Sequence, residues 1–144
     1  MKTKFESFLK ENVEKPAYSG ILIQDNYKLL ELVYHLDQSW EKIAHHVTLR
    51  MGSLPKELEK GKIVRLVATD IGEFEDKVIA VKVELDEDDN FQISEDKTPH
   101  ITLAVNRFNG GKPFMSNKIE EWRPIQRIVL SGVISEFASD GRTI

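Results

Sequence analysis

Two short stretches carry the same pattern of side chains: His46-Val47-Thr48-Leu49 and His100-Ile101-Thr102-Leu103. In a β-strand successive side chains alternate faces, so each stretch turns its imidazole and hydroxyl one way and its two aliphatics the other. Ordinary residue frequencies give a His-apolar-Thr-apolar run at a given histidine less than roughly once in a hundred times; here two of four histidines have it. The residue types suit displacement at phosphorus. That reaction needs a base to take a proton from the attacking oxygen and an acid to protonate the departing one, and histidine titrates near the working pH. Threonine hydroxyls on the same face can donate to the non-bridging phosphate oxygens and hold the charge that gathers there. His46 and His100 are therefore the candidate acid and base, and Thr48 and Thr102 the candidate phosphate ligands.

Both motifs sit in segments that read as strands, His45 to Arg50 and His100 to Val105. Around them the pattern predicts further strands over Tyr18 to Ile23, Ile63 to Thr69, Val78 to Leu85 and Ile125 to Phe137, the last interrupted or bulged near Gly132. Helices are expected in four places. The first carries Phe5, Phe8, Leu9 and Val13; the second follows Asp25 as N-cap, with Leu29, Leu30, Val33 and Leu36 as its apolar stripe. A short one should run from Leu54-Pro55 to Gly61, and a fourth should begin at Asn117, with Glu120 in capping-box position and Pro124 as its stop. Strands outnumber helices in an α+β pattern.

The paired motifs, one in each half of the chain, resemble those of the two-histidine (2H) phosphoesterase superfamily, which includes the bacterial 2′-5′ RNA ligase-like proteins and the cyclic phosphodiesterase module of tRNA ligases. The resemblance covers the full length. It implies a bilobal α+β fold, with two antiparallel sheets around a central cleft, helices outside, and one motif from each lobe on the cleft floor. The activity it implies is metal-independent hydrolysis of a 2′,3′-cyclic phosphate on an RNA end or nucleotide, with no cofactor. The segment Lys112-Pro113-Phe114-Met115-Ser116-Asn117 looks more like the tRNA-ligase branch. After the first motif, Arg50-Met51-Gly52 departs from the aromatic, aliphatic and glycine that the bacterial branch tends to carry. A phosphodiesterase for 2′-5′ linkages or small cyclic nucleotides, and a non-catalytic RNA-end-binding domain, are the alternative readings.

Other residues are read more plainly. Arg50 shares the parity of His46 and Thr48, so it either contacts phosphate or is solvated at the strand end. Lys112 with the Ser116-Asn117 helix start forms either an anion or base-binding lip or an ordinary loop-to-helix junction. His45 falls on the face opposite His46 and is expected to be structural; His35 is expected to be exposed. Tyr18, Trp40, Phe108, Phe114 and Trp122 could stack a base, though core packing is the commoner fate of an aromatic.

Composition bounds these readings. The chain of 144 residues, 40% apolar and 31% charged, has the size and balance of one self-folding domain over 1–144. A net charge of −4 argues against gripping long duplex nucleic acid by general attraction. The run Glu84, Asp86, Glu87, Asp88 and Asp89 reads as a solvated loop and not a metal site. With no cysteine, no signal-peptide core and no run long enough to span a bilayer, the expectation is a soluble cytoplasmic monomer.

Overall fold

The computed structural model describes residues 15–86 and 98–144. Seven strands carry it: β1 (Tyr18–Ile23), β2 (Trp40–Lys42), β3 (His46–Met51), β4 (Ile63–Phe74), β5 (Val78–Leu85), β6 (His100–Asn106) and β7 (Trp122–Phe137). All pairings are antiparallel. Following hydrogen-bonded neighbours from β1 leads through β7, β4, β5, β6 and β3 back to β1, so six strands close into a barrel and β2 is an extra strand against β6.

This overturns the expected bilobal α+β arrangement of two sheets with helices outside. The reason lies in the long strands. β7, at 16 residues, pairs with β4 from Trp122 to Val133 and with β1 from Gly132 to Phe137, so one strand joins what would have been separate sheets. β6 completes the ring, bonded to β5 on one edge and to β2 and β3 on the other. A closed ring removes the unpaired edges that two open sheets would expose.

The interior is built by alternation. In β3, Val47 and Leu49 are buried while His46, Thr48 and Arg50 are half-buried. In β6 the alternation holds at Ile101 and Leu103 and then gives way to continuous burial through Asn106. Ile21, Leu66, Val81, Leu130 and Ile134 join Val47 and Ile101 in one cluster, together with Leu29 and Val33 from the segment after β1.

The expected helices are reduced to turns. After β1 a single turn, α1 (Tyr27–Leu30), forms. Beyond it the hydrogen bonds step to three residues, Leu32 N–H to the Leu29 carbonyl and Val33 N–H to that of Leu30, and Leu29 and Val33 still reach the core. Asp25 does not cap this turn with its side chain; its carboxylate accepts from the Ser131 N–H of β7 and pairs with Lys28. The segment from Leu54 to Gly61 is also turns, too short to nucleate a helix, and it is tied to β7 where Gly61 N–H donates to the Ile134 carbonyl. At the expected fourth helix, a 3-10 turn (Pro113–Lys118) ends where the helix should begin. Trp122 instead opens β7 opposite Gly72, and Pro124 lies inside that strand beside a register shift, a position where its missing N–H is tolerated. The expected helix at Phe5 to Val13 and the acidic residues 87–89 lie outside the described residues.

Gly132 is not at a bulge: the ladder runs through it, opposite Ile23 of β1 and Val64 of β4. Its glycine is required by packing, because a Cβ there would clash with Cγ2 of Ile21. Gly132→Ala should therefore destabilise the protein by about 1–3 kcal/mol through overpacking. Ile21→Ala, worth about 2–5 kcal/mol alone, should cost less in that background, since the new methyl fills part of the space. Urea midpoints of the two single variants and the double variant measure this, and simple additivity would refute the contact.

Candidate active site

β3 and β6 meet where the ring of strands closes, with Val47 opposite Ile101. Both side chains are fully buried inside, so their sequence neighbours face outward. That one pair sets the two motifs antiparallel, with both imidazoles and both hydroxyls on the outer face of the barrel wall. All four side chains line one cleft of ≈ 640 Å³, within the range of small-molecule sites.

The two histidines are held differently. His100 Nδ1 donates to the Thr98 carbonyl at 2.8 Å. A carbonyl only accepts, so the proton sits on Nδ1 and the neutral ring keeps its lone pair on Nε2. His46 is packed against Tyr18 at 5.0 Å and Phe137 at 5.2 Å between ring centroids. Its Nε2 lies 3.2 Å from the Thr48 hydroxyl and its Nδ1 lies 2.9 Å from Nδ1 of His45. Burial, with smaller contributions from the neighbouring His45 and His100, lowers the His46 pKa to about 4; the imidazolium is poorly solvated there. Burial likewise lowers that of His45. Tyr18 is raised, by burial first and then by the charge of Asp140.

His45 does not lie on the opposite face, as strand parity predicts. It lines the same cleft, its ring set edge-on to His46. The cause is Ala44, whose φ of 45° puts it in the left-handed region and breaks the alternation before β3 begins. A non-glycine residue there is strained by about 1–2 kcal/mol. The turn is held by backbone bonds on both sides: Ala44 N–H donates to the Thr102 carbonyl at 3.0 Å, and Ile23 N–H donates to the His45 carbonyl at 3.0 Å.

The remaining candidates divide. Arg50 and Asn117 line the cleft, Asn117 with its amide donating to the Phe114 carbonyl. Lys112 is exposed and not among the cleft residues. Ser116 is 1% exposed and not among the cleft residues; its hydroxyl bonds that of Thr102 at 2.8 Å. No helix N-terminus forms at Asn117, so the expected lip is a 3-10 turn. Tyr18 and the half-exposed Phe114 line the cleft, while Trp40 is in the core, Phe108 is exposed elsewhere and His35 is exposed. Sequence reasoning missed Arg107, which enters the cleft from a 3-10 turn and pairs with Glu41 at 2.8 Å; a turn follows no alternation that could have marked it. Asp140, from the segment after β7, also lines the cleft.

Among the described residues no group of three or more His, Asp or Glu side chains is placed to hold a metal ion, and no helix is long and apolar enough to cross a membrane. Comparison with protein-family models, curated proteins and solved structures finds no match.

The buried His46 makes stability depend on pH. Its folded pKa of about 4 lies below the 6.5 of an unfolded chain, so the unfolded state takes up the proton first as pH falls. The contribution is complete above pH 6.5 and is lost down to about 4, amounting to about 3 kcal/mol at 1.36 kcal/mol per unit. Between pH 7.5 and 4 the wild type should lose about that much more stability in urea titrations than His46→Gln. Parallel losses in the two proteins would show that His46 is not desolvated.

Proposed function

We propose that the chain is a metal-independent phosphodiesterase that opens a 2′,3′-cyclic phosphate on an RNA end or nucleotide to a phosphomonoester. The observation that carries this reading is the antiparallel pairing of the two His-x-Thr motifs on neighbouring strands, which gathers two imidazoles and two hydroxyls on one cleft floor. The resemblance of those motifs to the two-histidine phosphoesterases supports it.

His46, neutral in the free protein, takes a proton from the attacking water at Nε2; the negative charge of a bound phosphate raises its pKa toward the working range. As the new P–O bond forms, the bond from phosphorus to one ribose oxygen breaks, and that oxygen receives the proton from Nε2 of a protonated His100. Thr48 and Thr102 donate to the non-bridging oxygens, and Arg50 brings positive charge to the cleft. Solvent then returns both histidines to their starting states.

His46→Ala and His100→Ala should each lower kcat by about 10²–10⁴-fold, with the double variant little worse than either. Thr48→Ala and Thr102→Ala should leave more activity, each losing about 1–3 kcal/mol of transition-state stabilisation. The assay is turnover of a 2′,3′-cyclic mononucleotide beside a 2′-5′ dinucleotide, with and without EDTA. Preference for the dinucleotide would move the substrate to 2′-5′ linkages. Binding of RNA ends without turnover would make the cleft a recognition site, and loss of activity in EDTA with recovery on adding a divalent metal would refute the mechanism.

Arg50→Ala should mainly raise KM, as expected of a group that holds substrate and transition state alike. Unchanged kinetics would assign Arg50 to the solvated surface.

A further inference from the structure

We infer that His45 is a positioning residue for His46, its bare Nδ1 accepting the Nδ1 proton of His46 across 2.9 Å and so reserving the Nε2 lone pair of His46 for the reacting proton. Both the choice of tautomer and the role of the proton rest on the two-histidine reading of the cleft; the 2.9 Å contact itself does not.

The argument begins with proton count. At 2.9 Å between two ring nitrogens one proton fits, so one Nδ1 carries it and the other is bare. The Thr48 hydroxyl at Nε2 of His46 can donate or accept, and so leaves both tautomers open. The reaction removes the choice. An imidazole that gains a proton at Nε2 carries one on Nδ1 too, and only a His45 whose own proton is on Nε2 can face it. A His45 with its proton on Nδ1 would oppose two N–H groups in a half-buried site and deny His46 the charged state. With the proton already on His46 Nδ1 in the resting protein, the base acts without rearranging its neighbours. The same logic holds a metal-bound or catalytic histidine in one tautomer through a partner at its other nitrogen.

A second observation is the backbone. His45 reaches His46 only because Ala44, fully buried and left-handed, swings it out of strand parity, and bonds to β6 and β1 fix that turn. Burial also lowers the His45 pKa, which favours the neutral ring that an acceptor requires. The groups facing His46 are His45 beside it, Tyr18 from β1, Phe137 from β7 and Thr48 and His100 on the cleft floor. Asp140 stands beyond Tyr18, and Arg50 and Arg107 line the same cleft.

The test compares His45→Ala and His45→Asn, whose side-chain oxygen can accept near the position of Nδ1. Ring-nitrogen NMR of the wild type should show His46 as the Nδ1–H tautomer with a bare Nε2. His45→Ala should mix the tautomers and His45→Asn should restore one. On a 2′,3′-cyclic mononucleotide, His45→Ala should lose about 10–100-fold in kcat with KM little changed, and His45→Asn should recover most of it. A wild-type His46 protonated on Nε2, a tautomer unmoved in His45→Ala, or a His45→Asn protein no better than alanine would overturn the inference. Absence of turnover in the wild type would instead refute the phosphodiesterase reading, and the NMR arm would still decide the role of His45.

Discussion

The contact on which the rest depends is the closure of the barrel between β3 and β6, where Val47 faces Ile101 across the last seam of the ring. Two fully buried aliphatics hold that seam from inside. Because strand side chains alternate, the same pair decides what appears outside. Whatever fixes Val47 and Ile101 in the core presents His46, Thr48, His100 and Thr102 to the cleft. Core packing and site geometry are thus two faces of one register, and a one-residue slip would carry the polar groups inward and empty the site.

Polar groups near the seam are satisfied with little help from solvent. Among the described residues no buried side-chain nitrogen or oxygen lacks a partner. Ser116, on the turn that covers part of β6, supplies the bond for Thr102, and the Thr98 carbonyl supplies the one for His100. That cover also explains why β6 stops alternating after Leu103, since Ala104 to Asn106 are buried whichever way they point. The aromatic packing of Tyr18 and Phe137 on His46 acts in the other direction, disfavouring charge on that imidazole.

What the sequence makes legible is local. Alternation in HVTLR and HITLA correctly separates core from cleft, and the β-branched runs mark their strands closely, because these signals need no knowledge of distant residues. The helical readings fail where a distant partner intervenes. Asp25 has the form of a cap, yet its carboxylate accepts from Ser131, and the Asn117-Glu120 box is followed by a segment that pairs with β4. Parity misplaces His45 because it assumes an unbroken strand, and nothing in the letter Ala marks Ala44 as left-handed. The closed barrel in place of two lobes follows from the length of β7 and from the β3–β6 seam. Both are non-local facts that a list of strands does not contain.

Setting two like motifs antiparallel has a further consequence. The pair Val47–Ile101 brings two chemically alike motifs head to tail across one seam. Two like imidazoles have no inherent direction: by residue type either could serve as donor. Direction must come from what surrounds them. On one side stand His45, Tyr18 and Phe137; on the other stand the Thr98 carbonyl and the Ser116 hydroxyl. The handedness of the site is therefore written in these outer neighbours, and a chain could exchange the roles of its two histidines by altering them while both motifs stayed as they are.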